Sequence, residues 1–351
     1  MKRITVRAEH EYEIKIDVDW KKEVTSLMEG RNRTAIITST SFSPDMTELL
    51  QLGSDVHHFT VPDGEAGKTF STLTTLWDWL AAAGFTRSDL VVAIGGGALT
   101  DLAGFASATW LRGIDWVAVP TSLAGMVDAS IGGKTGINSD YGKNLIGSFH
   151  SPIAVVIDPT WLETLDDRDF SAGIAEVIKC GFIKDAQILE ITTSRNVKSL
   201  RSDQQTVVEL IYRAVKVKAD VVSVDFKESF AREILNYGHT LGHAVEIHSK
   251  FNLRHGEAVA IGLVYAAELA AARSMITPEI VEMHRSVLTN LGLPTTYDRD
   301  AWTTLRPILA LDKKTRGSTI RFVALTGIGS TARLEDLTSD ELDAAYERIC
   351  S

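Results

Sequence analysis

Hydrophobic positions change their spacing about halfway along the chain. Up to about residue 160, short β-branched runs at 34–39, 89–94, 115–120 and 153–158 alternate with helix-length patterns. Runs that are apolar at successive positions suit strands buried on both faces of an α/β sheet. Residues 70–83 predict an intervening helix, and two alternating segments within the first twenty residues predict a strand pair at one edge. From about residue 168 strand signals nearly vanish. Val207, Leu210, Ala214, Val217 and Val221 recur at spacings of three and four, the stripe of an amphipathic helix. Gly292-Leu293-Pro294 predicts a helix stop, and only 320–325 reads as a late strand, suited to a small hairpin. The expectation is an α/β domain over 1–167 followed by a mostly α-helical domain over 168–351, and clefts between such halves are favoured ligand sites.

Composition narrows the function classes. With 44% apolar and 23% charged residues the chain can bury a sizeable core. A net charge of −10 argues against a nucleic-acid partner, which needs a basic face, while local basic clusters could still take an anionic small molecule. Two cysteines, Cys180 and Cys350, form no disulfide framework and fit a reducing cytoplasm. The first residues, MKRITVR, lack the apolar core of a signal peptide. The longest apolar stretch, 258–267, falls short of the roughly 20 residues of a bilayer crossing. A cytoplasmic protein with no membrane or nucleic-acid partner is expected.

The glycines of the first half carry its candidate chemistry. Residues 91–104 read as strand, the turn Gly95-Gly96-Gly97, and a helix bearing Asp101. Glycine lets backbone N–H groups approach a phosphate, and a helix N-terminus adds positive potential. This suits a dinucleotide pyrophosphate, although the pattern is not the usual GxGxxG; a tight turn without ligand is the other reading. Upstream, Glu65 and Lys68 share a glycine-containing loop, either for ribose and phosphate groups or as a solvated turn. Downstream, Thr121, Ser122, Asp128, Lys134, Asn138, Lys143 and Asn144 stand among many small residues, which predicts a flexible, cation-lined functional surface.

In the second half, His239, His243 and His255 cluster in sequence. His239 and His243 are four apart and share a helix face, so the spacing invites a metal held by that pair, while satisfied structural histidines are the plainer reading. Glu176 and Lys179 are three apart on a predicted short helix. That spacing gives a surface ion pair of little worth, yet Glu176 stands among Ala, Ile and Val, a poor setting for a carboxylate unless paired or metal-bound. Glu176 is therefore a candidate third ligand. Lys218 interrupts an apolar helix, whereas Lys216 and Lys227 read as solvated charges.

The strings DGEAGKT, GGGALTDLAGFASATWLRG, VDASIGGKTGIN, GKN, AEVIK, REILNYGHTLGHA and RHGEAV stand here in one order and spacing. Together they resemble the 3-dehydroquinate synthases, one branch of the sugar phosphate cyclases, over nearly the whole chain and most densely from about 62 to 262. The resemblance implies an N-terminal Rossmann-like NAD domain, a helical metal-binding domain and an active site between them. It implies a divalent metal, zinc or cobalt, held by Glu176, His239 and His255. It implies catalytic or substrate roles for Asp128, Lys134, Asn144, Lys179, Lys218, Glu228, Arg232, Asn236 and His243, and for one of Lys313 and Lys314. Arg112 would reach the active site of a neighbouring subunit, which implies a homodimer. NAD contacts would come from Glu65, Lys68, Gly96, Gly97, Asp101, Thr121, Ser122, Lys134 and Lys143. The implied reaction converts 3-deoxy-arabino-heptulosonate 7-phosphate to 3-dehydroquinate and phosphate, in the shikimate pathway of aromatic amino acid biosynthesis. NAD+ would oxidise the C5 hydroxyl transiently and be regenerated, which makes the enzyme a phosphorus–oxygen lyase.

Departures from the family pattern are few: Ser122 stands where Thr is usual, and Phe226 follows Asp225 where an acid is usual. No ribose-binding acid is evident after the strand 34–39. The alternatives are a cyclase for a substrate without a carboxylate, a metal-dependent glycerol-type dehydrogenase, and a non-catalytic binding protein. Lys218, Arg232, Asn236 and the Lys313–Lys314 pair favour a substrate bearing both phosphate and carboxylate.

Overall fold

The β-branched runs of the first half pair into one seven-stranded sheet. The computed structural model describes residues 1–42, 44–50, 55–229, 231–316 and 320–351, with 310–316 described by their backbone alone. Its strands are β1 (Lys2–Arg7), β2 (Glu11–Ile16), β3 (Arg33–Ser39), β4 (Asp55–Val61), β5 (Leu90–Gly95), β6 (Asp115–Pro120), β7 (Lys134–Ser139), β8 (Gly142–Phe149), β9 (Ala154–Ile157), β10 (Phe322–Gly327) and β11 (Ser330–Leu334). The sheet order is β1-β2-β9-β6-β5-β3-β4, parallel throughout except for the β1–β2 pair at one edge. Every residue of β5 and β9 is buried, as their unbroken apolar runs require. One face of the sheet packs Ile36, Val92, Ile94, Val117 and Val156 against Trp20, Val24 and Met28 of the helix Trp20–Met28.

Strand order reverses at β3. The chain leaves β3 for β4 on one side, then returns to β5 on the other and continues outward through β6 and β9. Connections that diverge from adjacent parallel strands open a crevice at their carboxyl ends, where ligands bind in such sheets. The Gly95–Gly97 turn leaves the carboxyl end of β5 at that point, with Gly96 capping the helix Gly97–Thr109.

Two elements differ from the sequence expectation. Residues 55–61 form β4, an edge strand whose mixed burial and two histidines give no clean alternation. Residues 134–149, read as a flexible surface, fold into the antiparallel hairpin β7–β8. Glycines and polar residues dilute a period-2 signal, and pairing across the hairpin supplies what local propensity lacks.

The chain divides into two compact units, Met1–Leu165 with Lys218–Lys227, and Asp166–Val217 with Glu228–Ser351. A division at 167/168 makes no allowance for the excursion Lys218–Lys227. The second unit is mostly helical, with β10 and β11 as its hairpin. At its centre the helix His255–Ala272 is buried from Gly256 to Ala270, so its apolar character runs all the way round. A Cβ on Gly256 would lie 1.7 Å from the Ala172 carbonyl oxygen, and one on Gly262 would lie 1.9 Å from that of Gly238. Glycine at both positions is what lets these backbones approach. Gly292 has φ +75° just beyond the helix Pro278–Asn290, the left-handed stop that the sequence predicts. Among the described residues, no helix is long and apolar enough to cross a membrane.

Candidate active site

Three elements of the second unit converge on Glu176. It lies inside the helix Asp167–Ile183, which is longer than the sequence suggested and buried from Phe170 onward. His239 begins the helix His239–His248 and His255 begins the helix His255–Ala272. Gly256 follows His255, and Gly238 precedes His239, so the two closest backbone approaches flank the two histidines. The Nε2 atoms of His239 and His255 lie 3.5 and 3.4 Å from Glu176 Oε1. Lys179 does not form a surface pair: both side chains are 2% exposed, and its ammonium donates a short hydrogen bond to Glu176 Oε2. Oε1 itself is buried and accepts no hydrogen bond.

The outer ring nitrogens set the state of the inner ones. His239 Nδ1 lies 3.1 Å from the Tyr237 carbonyl oxygen, which can only accept. His255 Nδ1 lies 3.1 Å from Glu246 Oε2. Nδ1–H donation in both rings turns both Nε2 atoms toward Glu176 Oε1. Burial and the nearby Lys179 ammonium hold the His239 imidazole down to about 3, so it is neutral. Burial works against ionised Glu176, but Lys179 and the histidines outweigh it and keep the carboxyl well below the usual range. Burial likewise opposes charge on His255, yet Glu176 and Glu246 override it and raise the imidazole to about 10. Two imidazole nitrogens and a carboxylate oxygen, all within 4.8 Å of one another, are the donor set of an open, catalytic-type divalent metal site.

His243 differs from its neighbours. Its ring centroid is 5.4 Å from that of His239 and 6.2 Å from that of His255, but its side chain is exposed. A second donor group, His243, Glu246 and His255, shares His255 with the first. Sequence reasoning passed over Glu246, although its position three residues beyond His243 puts it on the same helix face. Elsewhere in this unit Asn236 donates to Glu228 Oε1 at 2.9 Å, and Arg232 is 2% exposed. The side chains of Lys313 and Lys314 lie outside the described residues.

In the first unit the glycine turn is one wall of a polar cluster. Lys68 is 1% exposed and donates to Asp101 Oδ2 at 2.7 Å and, by a short bond, to Asn144 Oδ1; Glu65 lies 3.8 Å away. Asn138 holds the cluster together, donating to Glu65 Oε2 at 2.6 Å and accepting from the Asn144 backbone at 3.0 Å. Burial raises the Asp101 carboxyl more than Lys68 lowers it. Thr121 donates its backbone N–H to the Gly95 carbonyl, and Ser122 Oγ accepts from the Gly125 N–H at 3.2 Å, lining the same turn. Lys218 reaches Asp128, donating to its carbonyl oxygen at 2.6 Å and to Oδ1 at 2.5 Å. Lys134 is exposed at the start of β7, and Lys143 is half-buried in β8. Arg112 is exposed in a turn with φ 68°. Lys216 and Lys227 are exposed.

The family model for the 3-dehydroquinate synthase N-terminal region matches residues 58–172, and that for the C-terminal region matches 173–315. The chain belongs to the 3-dehydroquinate synthase family. A 3-dehydroquinate synthase of Corynebacterium diphtheriae is 47% identical, covering 99% of each chain. Another, from Thermobifida fusca, is 50% identical over 86% of this chain and 82% of its own. Among solved structures, the 2-epi-5-epi-valiolone synthase of Streptomyces hygroscopicus subsp. jinggangensis, with NAD+ and Zn2+ bound, is 27% identical. It covers 99% of each chain with a TM-score of 0.90. A 2-deoxy-scyllo-inosose synthase, 24% identical with a TM-score of 0.88 over 99% of this chain and all of its own, shares the fold. Of this synthase family member's two departures, Ser122 keeps the hydroxyl that meets Gly125. Phe226 packs edge-on to Phe149, with centroids 5.2 Å apart.

Proposed function

We propose that the protein is a 3-dehydroquinate synthase, converting 3-deoxy-arabino-heptulosonate 7-phosphate to 3-dehydroquinate and phosphate. The observation that carries this reading is Glu176 Oε1, a buried carboxylate oxygen without a hydrogen bond that faces two imidazole Nε2 atoms. Glu176, His239 and His255 would hold a divalent ion, zinc or cobalt, which supplies Lewis-acid polarisation of a substrate oxygen when bound. The glycine turn with Glu65, Lys68, Asp101, Thr121, Ser122, Lys134 and Lys143 would hold NAD, which supplies a reversible hydride acceptor.

The remaining roles belong to the chain's own groups. Lys179 neutralises Glu176 Oε2 and so keeps Oε1 turned toward the metal position. Lys218, Arg232 and Asn236, with one of Lys313 and Lys314, bind the substrate's phosphate and carboxylate. Asp128 orients Lys218 through two contacts, and Glu228 orients Asn236 through one. Lys134 and Asn144 position the substrate, and His243 binds anion or moves a proton at an accessible ring nitrogen. The eliminated phosphate takes the C–H proton itself, so no strong protein base is required. Arg112 serves the active site of the second subunit of a homodimer. Cys180 and Cys350, which form no disulfide, suit a reducing cytoplasm.

The test supplies purified protein with the heptulosonate phosphate, NAD+ and zinc, and follows phosphate and dehydroquinate. Stoichiometric release of both is expected, abolished by chelation and restored by zinc or cobalt. Phosphate release from a carboxylate-free heptulose phosphate instead would make the chain a different cyclase.

A further inference from the structure

The helix His239–His248 turns His239, His243 and Glu246 to one side, at spacings of four and three. Glu246 is 5% exposed and lies 3.1 Å from His255 Nδ1, the nitrogen facing away from Glu176. An imidazole that gives Nδ1–H to a carboxylate has its Nε2 lone pair fixed as the metal donor, with the ring plane held and the ligand made more basic. His239 has the weaker counterpart, a neutral carbonyl. His255 is also the more exposed of the two, its side chain 38% exposed against 10% for His239, so packing alone restrains its ring less.

We propose that Glu246 is a positioning residue for the metal site: it selects the Nδ1–H tautomer of His255 and aims Nε2 at the ion. The inference rests on the metal-site reading above, with Glu246 as the partner of a ligand and not a ligand itself. Geometry separates those roles. A metal on His243, Glu246 and His255 would displace the 3.1 Å contact between His255 Nδ1 and Glu246 Oε2 or share it, and would leave Glu176 Oε1 buried and unmatched.

Zinc affinity is measured by competition with a chromophoric chelator, and the Co2+-loaded protein is examined for its d–d spectrum. E246A should bind zinc about 10- to 100-fold more weakly. E246Q, whose amide oxygen still accepts from Nδ1–H, should recover most of that loss and keep the wild-type Co2+ spectrum. Ring 15N shifts of zinc-loaded wild-type protein should report an Nδ1–H, Nε2-bound His255. Zinc affinity in E246A within twofold of wild type would overturn the proposal. So would a Co2+ spectrum altered in E246Q as a lost ligand alters it, or an Nδ1-bound His255. An E246Q variant as weak as E246A would also overturn it. Wild-type protein that binds no zinc would instead defeat the metal-site reading itself, a separate outcome seen before any variant is made.

Discussion

The backbone of Gly256 passes Ala172 so closely that a Cβ on the glycine would sit 1.7 Å from the Ala172 carbonyl oxygen. Ala172 lies one helical turn before Glu176, and Gly256 adjoins His255. The same contact therefore sets how far apart a carboxylate and an imidazole of the donor set can stand. The obstacle is backbone, which cannot rotate aside.

Gly256→Ala should for that reason be destabilising, although Ala is ordinarily the better helix former by about 1 kcal/mol. Overpacking against a fixed carbonyl costs about 3 kcal/mol and wins. The expected result is a lower denaturation midpoint together with weaker zinc binding, read by urea titration and chelator competition. An unchanged midpoint would show that the helices can part without loss.

The histidines should separate by function. His239→Ala and His255→Ala are expected to lose zinc by metal analysis. His243→Ala is expected to keep it while turnover falls by about 10²- to 10⁴-fold, the usual range for a proton-transfer group. Lys134→Ala should likewise abolish turnover with metal content intact. Zinc loss in either of the last two variants would reassign that residue to the metal site.

Lys68, buried, donates to the partly buried Asp101 at 2.7 Å, and burial pushes the Asp101 carboxyl up against the pull of that ammonium. Removing one partner strands a charge, so Lys68→Met or Asp101→Leu alone should cost about 3–5 kcal/mol. The double variant should recover most of that stability while losing NAD binding by calorimetry. Retained NAD affinity in a stable double variant would remove the pair from the cofactor site.

His284 supplies a pH dependence. Its ring stacks on Phe182 at 3.5 Å, bonds the Tyr237 hydroxyl at 2.9 Å, and is pushed down to about 4 by burial. A histidine depressed in the folded state favours folding while neutral. Its contribution is present above the unfolded value near 6.5 and is lost as pH falls from there through 4. Between pH 7.5 and 4.5 the loss should be about 2–3 kcal/mol. His284→Gln should show a pH dependence of unfolding free energy shallower by that amount; an identical slope would show that the ring titrates alike in the folded and unfolded states.

The sequence by itself determined the two-part character of the chain. A strand buried on both faces must be apolar at successive positions, as in Leu90–Gly95, and a helix against a core must carry its stripe every three or four residues. These are properties of one element and its surroundings, so they can be read locally. The glycine turn after β5 was legible for the same reason, and the motif strings pointed to the family. The hairpin β7–β8 was not, because its polar, glycine-bearing strands exist through pairing across the turn.

The metal donor set belongs to the tertiary structure. Four residues advance a helix by about 400°, leaving His239 and His243 about 40° apart on one face. That offset, with the packing of the neighbouring helices, leaves His239 buried and His243 exposed. Spacing along one helix could not say which ring nitrogen faces inward, that Lys179 occupies one oxygen of Glu176 and leaves the other bare, or that Glu246 stands behind His255. Those facts depend on how closely three helices approach. That distance is decided where Gly256 meets Ala172 and Gly262 meets Gly238, contacts between residues far apart in the chain.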